Sequence, residues 1–424
     1  MSIQSTGIGS NLDVNSLISK LMQVESQPLT ALANKEASFQ AKLSAYGTLN
    51  GAVSAFQSSL TSLNNASTFQ NLSATSGDAS IASASTTSIA TAGSYNLNVT
   101  KLAQAQSISS AGQVSTTASV GDNASSTTVS FQFGTISGGA LANGVYAGAT
   151  FTQDANQATT TITVDNTNNS LQGIRDAINK ANIGINASVV GDGSATPYHL
   201  VLNSSKTGAA SSFKITTSGE TGGTAVGTLL NYDPQGTQNF KEVLTGQNAA
   251  LTVNGIDIGS ASNSVSSAIQ GVTINVGKIG TTSLSIAANT SNVSSLVTAF
   301  VKTYNDLNTT IGTLSSYDAS TKKGGILLGD ATARGVQNQV RSALATGVNG
   351  LGGNLTSLSS IGVTFQKDGS LKIDSAKLQT ALTSNFSEVG GLFASVGKAT
   401  DSLTTVVGST ATTKAGTYAL NITI

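Results

Sequence analysis

The strongest constraint on the fold is a helical repeat of apolar residues. They recur three or four positions apart, at Phe39, Leu43, Tyr46, Leu49, Val53, Phe56, Leu60 and Leu63. This near-heptad spacing places the side chains along one side of a long α-helix. The helix should therefore pack against another helix, in a coiled coil or inside a globular core. An earlier helix is predicted from Asp13 to Val24, with a break at Pro28.

The rest of the chain alternates between two kinds of pattern. Residues 69–290 show the alternation and turn residues of strands, and "ASIASAS" with "GSYNLNVTKLAQ" suggests an antiparallel pair. One helix interrupts them, with Leu171, Ile174 and Ile178 on one face. Later elements are predicted as helices over 292–314 and 330–344, a hairpin over 361–374 with its turn at Asp368–Gly369, and a helix over 375–382. The sequence predicts an α+β, multidomain protein whose two ends meet around an inserted β-rich middle.

Charged residues are unusually scarce. They make up 9% of the chain, where about 25% is ordinary. The 20 basic and 20 acidic residues cancel, so the chain offers no basic face for nucleic acid or anionic lipid. A neutral surface lacks like-charge repulsion and favours association with copies of the same protein. A soluble extracellular protein with no assembly habit is the alternative that composition leaves open.

Cysteine is absent, which excludes disulfides, thiolate metal sites and a cysteine nucleophile. The first eleven residues lack the basic and apolar regions of a signal peptide. No run of 18 apolar residues occurs, so we expect no membrane insertion. The protein should be cytoplasmic or leave the cell by a route that reads no cleaved signal.

No pattern in the sequence predicts catalysis, a metal site or a cofactor. His199, the only histidine, lies in a predicted strand and is expected to be an ordinary strand residue. The segment from Asp165, "DNTNNS", lacks the glycine and distal glutamate of a calcium loop. "GIGS" at Gly7 does not follow a strand, as a nucleotide-binding loop would. We therefore do not expect an enzyme.

The end of the chain repeats an internal strand. "AGTYALNITI", from Ala415 to Ile424, is similar to "AGSYNLNVT", from Ala92 to Thr100. We expect 401–424 to begin a further β module, in a chain that continues beyond Ile424.

Three stretches together resemble the flagellar filament cap family, also called hook-associated protein 2. They are "GIGSNLDVNSLISKLMQVESQPLTAL", "GSYNLNVTKLAQAQ", and "LSSIGVTFQKDGSLKIDSAKLQTAL" preceded by "LLGDATARGVQNQVRSAL". Between them, "NSLQGIRDAINKANIGINASVV" resembles an insert motif shared with flagellins. The chain departs from the family at Asn11, where glycine is common, and after Leu392, where a long C-terminal helical segment is expected.

The resemblance implies a division of the chain into a leg, a base and heads. The expected domains are a helical leg (1–42), a helix-strand base (43–110 plus 289–400), a β-rich head (111–135 plus 246–288) and a second β-rich head with the flagellin-type motif (136–245). The implied contact stripe of the leg comprises Leu12, Leu17, Leu21, Val24, Leu32, Phe39 and Leu43. The implied base core comprises Leu49, Val53, Phe56, Leu60, Phe300, Tyr304, Leu307, Ile361 and Phe365. We expect Val53→Asp to unfold the base and Leu21→Asp to leave stability unchanged.

The resemblance also implies a function and a set of partners. The protein would form a homo-oligomeric ring at the distal tip of the flagellar filament, outside the cell, and hold exported flagellin while it folds and inserts. Implied partners are flagellin and the filament tip, the type III export machinery, an export chaperone that binds the missing C-terminus, and a host glycan or mucin. The alternatives are a flagellin-like filament subunit or junction protein, and a tip adhesin with a glycan-binding β head.

Overall fold

The structure is a computed structural model that describes residues 13–121, 125–219, 225–348, 354–394 and 418–421. The chain divides into two compact units. One unit combines residues 1–71 with 288–424, and the other contains residues 72–287. The predicted α+β organisation is confirmed, because the two ends of the chain share one unit and the β-rich middle forms the other.

Seven α-helices lie within the described residues. They are α1 (Val14–Leu63), α2 (Leu171–Ala181), α3 (Ala225–Leu230), α4 (Thr290–Ser315), α5 (Ala331–Ala345), α6 (Ser375–Ser384) and α7 (Phe386–Phe393). The expected break at Pro28 is wrong, since α1 is one helix of 50 residues with Pro28 inside it. Proline removes one N–H and therefore one rung of the hydrogen-bond ladder, at a cost of about 3 kcal/mol that a long helix can absorb.

The strands are short and numerous. They are β1 (Leu72–Ser76), β2 (Ala82–Thr86), β3 (Gly93–Lys101), β4 (Ser107–Ser110), β5 (Thr127–Ser137), β6 (Ala140–Ala142), β7 (Val145–Ala147), β8 (Thr150–Gln153), β9 (Thr160–Val164), β10 (Ile185–Gly191), β11 (Tyr198–Ser204), β12 (Ser212–Ser218), β13 (Phe240–Leu244), β14 (Ala249–Val253), β15 (Ile256–Ser260), β16 (Ser264–Ile269), β17 (Val272–Val276), β18 (Gly280–Ala288), β19 (Tyr317–Asp318), β20 (Lys323–Gly324), β21 (Val363–Phe365) and β22 (Leu371–Ile373).

The unit formed by the chain ends is built on the packing of α1 against α4. Its core joins the last five turns of α1 to α4, to α6 and to the β21–β22 hairpin. The hairpin pairs Phe365 with Leu371 across the expected turn at Asp368–Gly369. Asp330, where the sequence predicted a helix to begin, caps α5 by accepting the Thr332 and Ala333 N–H groups on its carboxylate.

The middle unit contains two apolar cores, and the first lies between two facing sheets. One sheet has the order β1-β18-β3-β14-β15 and the other β16-β17-β2. β1 lies beside β2, and β15 lies beside β16, so the sheets approach each other at both edges. Alternation along β3 buries Leu97 and Val99 between the sheets and exposes Asn96 and Asn98. This arrangement covers the edges that would otherwise be open to pairing with another chain.

The second core of the middle unit lies between the sheets β10-β11-β4-β13 and β12-β5-β8, with β9 also paired to β5. The α2 helix covers it with Leu171, Ile174 and Ile178, all fully buried as the sequence predicted. Ser170 caps α2 by accepting the Gly173 N–H on its hydroxyl.

The strands pair with partners other than those expected, and they are divided between the two units at different residues. β2 pairs with β17, and β3 pairs with β14 and β18, so the pair expected between "ASIASAS" and "GSYNLNVTKLAQ" is wrong. The sequence assigned residues 72–110 to the base, but their strands pair within the middle unit. The sequence also grouped most of β5 with residues 246–288, but β5 belongs to the sheets of the second core. The expected module at 401–424 lies outside the described residues except for 418–421, which form no strand.

Candidate functional site: the exposed stripe of the first helix

The α1 helix is buried in its second half and exposed in its first. From Val14 to Ser44 every residue is exposed except Ser16, which is half-buried. Burial begins at Ala45 and recurs at Leu49, Phe56 and Leu63. The exposed part has 31 residues and is roughly 46 Å long, at about 1.5 Å per residue. Tertiary contacts therefore stabilise only the second half of the helix.

The exposed half carries a long set of apolar side chains, here called the leg stripe. Its described members are Val14, Leu17, Ile18, Leu21, Met22, Val24, Leu29, Leu32, Phe39 and Leu43. Turning about 100° per residue, these ten positions fall within an arc of about 160° on an ideal helix. Glu25, Lys35, Glu36 and Lys42 lie among them. A large apolar surface bordered by charged groups is typical of an interaction site.

The expected leg residues that the structure describes all belong to this exposed set. They are Leu17, Leu21, Val24, Leu32, Phe39 and Leu43, of which Leu43 is the most accessible, at 75%. Leu12 lies outside the described residues. Four members were missed by sequence reasoning, although their helical spacing from Leu17, Leu21 and Leu32 could have identified them: Val14, Ile18, Met22 and Leu29.

A hydrogen bond marks the level at which α1 enters the core. The Tyr46 hydroxyl donates to Oδ2 of Asp330 at 2.6 Å. This bond is the largest cause of the lowered pKa of Asp330, and a hydrogen bond from the Ala333 N–H adds to it. The same bond to Asp330 raises the pKa of Tyr46. The sequence predicts a helix that begins near Asp330, but no local pattern gives its partner 284 positions away.

Below this level, aromatic side chains join α1 to α4. The Phe56 ring lies 5.6 Å from Phe300 and 6.0 Å from Tyr304, measured between ring centroids. The Tyr304 hydroxyl donates to the Gly369 carbonyl at 2.9 Å and so connects α4 to the hairpin turn. Leu307 and Ile361 are also buried in this core.

Three residues expected in the base core are only half-buried. Val53, Leu60 and Phe365 pack against the core with part of each side chain accessible. The Arg341 guanidinium lies 5.5 Å above the Phe365 ring and covers it. Val53→Asp should therefore cost less stability than a fully buried aspartate would, because water can reach the substituted side chain.

The single histidine has a structural role. It lies in β11, as predicted, with Nδ1 2.8 Å from the Ser110 carbonyl and Nε2 3.2 Å from Asp192. These contacts, led by the one to Ser110, raise the pKa of His199. The expected polar turn is also present at Asp165, whose carboxylate accepts the Thr167 N–H and hydroxyl.

Across the described ranges, no cluster of three or more histidine, aspartate or glutamate side chains is placed to hold a metal ion. Among the same residues, no helix is both long and apolar enough to cross a bilayer. "GIGS" at Gly7 lies outside the described residues.

Comparison with known proteins agrees with this architecture. The family model for the flagellar hook-associated protein 2 N-terminus matches residues 10–106, and the model for its C-terminus matches 246–421. The flagellar hook-associated protein 2 of Escherichia coli K12 is 34% identical over 422 residues, covering 97% of this chain and 84% of the relative. The B-type protein of Pseudomonas aeruginosa is 33% identical, covering 92% and 80%.

A solved structure shows the same fold. The D1-D2-D3 domains of the flagellar cap protein FliD from Escherichia coli match with a TM-score of 0.62 and 32% identity, covering 82% of this chain and 89% of that one. The fold and the matching family models thus define a structural protein of the bacterial flagellum. The chain belongs to the flagellar hook-associated protein 2 family, whose members form the oligomeric cap of the filament. It caps the filament at its extracellular tip.

Proposed function

We propose that the leg stripe is the surface through which this cap protein holds the filament end, with residues 1–42 acting as the leg. The observation that carries the proposal is the ten-residue apolar stripe on a helix that packs against no other described element before Ala45. An exposed apolar helical face of this length is suited to helix-in-groove contacts with neighbouring subunits. The cap would work by binding and shape, retaining exported flagellin until it folds and inserts, with no bond made or broken.

A matched pair of variants tests the role of the stripe. Leu21→Asp places a charge in the stripe, and Gln23→Asp places the same charge on the opposite side of the same exposed helix. Neither change should alter the melting temperature, because both positions are exposed. Leu21→Asp should abolish filament growth and swimming, whereas Gln23→Asp should leave both intact. Equal swimming by the two variants would rule the stripe out as the filament contact.

Export through the flagellar type III apparatus is a second part of the proposal. It is supported by the absence of cysteine from all 424 residues, because such a chain needs no disulfide chemistry after passing the channel unfolded. The protein should reach the culture medium of wild-type cells and stay inside cells that lack the flagellar export gate. Its appearance in the medium of both strains would point to another route.

A glycan is a proposed ligand of the middle unit. A shallow hollow on the solvent face of β3 is lined by the amide and hydroxyl groups of Asn96, Asn98, Thr252, Asn254 and Thr281. Such groups can exchange hydrogen bonds with sugar hydroxyls. Glycan-array binding by the wild-type protein, lost in Asn98→Ala and retained in Leu21→Asp, would support this proposal. Array binding that survives Asn98→Ala would exclude the hollow as its site.

A further inference from the structure

A short hairpin lies as a strap across the outer edge of β13. The strap is formed by β6 and β7, residues 140–147, and turns at Asn143 and Gly144, which both have positive φ. The Gly144 carbonyl accepts the Glu242 N–H at 2.8 Å. A Cβ on Gly144 would lie 2.8 Å from the Lys241 Cβ and 3.0 Å from the Glu242 carbonyl oxygen. The turn therefore needs glycine, and it rests directly on the β13 backbone.

A second attachment holds the base of the strap. The Tyr146 N–H donates to Oε1 of Gln238 at 2.7 Å, and Nε2 of Gln238 donates back to the Tyr146 carbonyl at 2.8 Å. The strap is thus attached by three hydrogen bonds among Gly144, Tyr146, Gln238 and Glu242. The Tyr146 side chain also lies against the Glu242 carboxyl group. Breaking them would free the side of β13 that does not pair with β4.

A buried carboxyl group lies beneath this attachment. The Glu242 residue is only 6% exposed, and its Oε2 accepts the Tyr232 hydroxyl at 2.7 Å. Tyr232 in turn accepts a hydrogen bond from Nε2 of Gln106 at 3.3 Å. The other carboxyl oxygen, Oε1, is buried and makes no hydrogen bond within the described residues. A buried acceptor without a partner destabilises the ionised form, which has the most to lose from leaving water.

We propose that Glu242 makes this strap pH-sensitive: while its carboxyl group is protonated the strap stays closed, and loss of the proton to solvent loosens the strap and uncovers the outer edge of β13. A neutral carboxyl can stay buried at modest cost, whereas a carboxylate lacking a cationic partner gains by moving toward water. The movement that hydrates it is displacement of the strap, since the opposite side of the carboxyl group faces the second core.

Burial outweighs the groups around Glu242. Those that face it are Tyr232, Tyr146, Gln106 and Thr245; as hydrogen-bond donors they favour the carboxylate, but none of them is a cation. Lys241, the next residue on the strand, is exposed on the opposite face. Burial raises the pKa of Glu242 and of both tyrosines. Because the folded pKa of Glu242 lies above its unfolded value, its contribution to stability is complete at acid pH and is lost as pH rises through the folded pKa.

Hydrogen exchange of the strap amides tests the proposal. Between pH 5 and pH 8, and after correction for intrinsic exchange, protection of the Glu242 and Tyr146 amides should fall by about tenfold or more in the wild type. In Glu242→Gln it should not depend on pH. Asp257→Asn, an exposed carboxylate of β15 in the same unit, should keep the wild-type profile. The Leu202 amide of β11 should stay protected throughout. Wild-type protection independent of pH would overturn the proposal.

A second measurement keeps the proposal testable if Glu242→Gln fails to fold. The sequence has five glutamates, whose side-chain carboxyl groups can be followed by carbon NMR in the wild-type protein. One of them should titrate at a higher pH than the others, and the Gly144 and Tyr146 amide signals should shift with the same midpoint. Amide signals that stay fixed through that titration would show that the strap does not respond to Glu242.

Discussion

Tyr46 and Asp330, separated by 284 positions in the sequence, are joined by a hydrogen bond of 2.6 Å. Asp330 also caps α5 through two N–H groups, so one carboxylate fixes both the start of α5 and the level at which α1 enters the core. Above this level α1 is exposed, and below it α1 packs against α4. The bond marks the border between the leg and the base.

Removing the Tyr46 hydroxyl should therefore weaken the base in a pH-dependent way. The pKa of Asp330 is lowered, chiefly by the hydrogen bond from Tyr46. The bond therefore stabilises the fold fully above the unfolded pKa of about 4, and this stabilisation is lost as pH falls through the folded pKa of Asp330. Tyr46→Phe should melt below the wild type at pH 7 and converge with it once pH has fallen below the folded pKa of Asp330. Tyr317→Phe, at an exposed tyrosine of the same unit, is the control. A constant difference at all pH values would contradict this account.

Leucines on the two halves of α1 should respond differently to the same truncation. Leu49 is 4% exposed within the core, and Leu21 is 58% exposed. Leu49→Ala should cost about 3 kcal/mol through lost burial and a cavity, whereas Leu21→Ala should change stability by less than about 0.5 kcal/mol. Urea unfolding of both variants measures this. Similar losses would mean that the outer half of α1 is also part of a core.

Acid should destabilise a recurrent type of turn. At five turns an aspartate accepts the N–H of a serine or threonine two residues later, pairing Asp78 with Ser80, Asp165 with Thr167, Asp192 with Ser194, Asp318 with Ser320, and Asp368 with Ser370. At all of these turns except the one at Asp192, the hydroxyl of the same serine or threonine also donates to the aspartate and is the larger cause of its lowered pKa. At Asp192 the Ser194 N–H is the larger cause. The turns therefore contribute stability above the unfolded pKa of about 4 that is lost as pH falls through each folded pKa, which is about 2 for Asp318.

Asp318→Asn isolates one of these turns. The variant should unfold at lower urea than the wild type at pH 7, because an amide accepts a weaker hydrogen bond than a carboxylate. The difference should shrink as pH falls from about 4 to about 2. Asp257→Asn should show no such convergence. If the difference in unfolding urea concentration between Asp318→Asn and the wild type grows as pH falls, the carboxylate does not stabilise the turn.

His199 should matter for stability and not for capping. Its raised pKa means that its bonds stabilise the fold fully below the unfolded value of about 6.5 and less as pH rises through the folded value. His199→Ala should therefore lower the melting temperature more at pH 5 than at pH 8. Swimming should stay normal at a temperature where the variant is folded. Loss of swimming by a folded variant would reveal a functional role.

Local patterns predicted local structure well. The start of α5 near Asp330, the turn at Asp368–Gly369, and the apolar face of α2 each follow from residues within one or two turns of chain. Strand partners could not be predicted in this way. The alternation in β3 shows which side chains are buried, but its neighbours β14 and β18 lie about 150 or more positions away, and many other strands have the same pattern.

The division of α1 shows a second limit of sequence reasoning. Phe39 and Phe56 belong to one continuous repeat, yet Phe39 is exposed and Phe56 is buried. The difference depends on α4, which packs beside only the second half. The strap and the unpaired oxygen of Glu242 had no sequence signal either, because a lone glutamate in a strand is usually exposed.

Pro28 gives the exposed helix a mechanical property. Because proline has no N–H, the Val24 carbonyl has no donor four residues later, and the helix is missing one rung about 21 Å from its start. A helix bends most easily where one of its backbone hydrogen bonds is missing. The outer third of the helix can therefore tilt about this point while the rest stays in line with the core. Copies of the protein whose cores are packed identically can in this way present the outer part of the leg stripe at different angles.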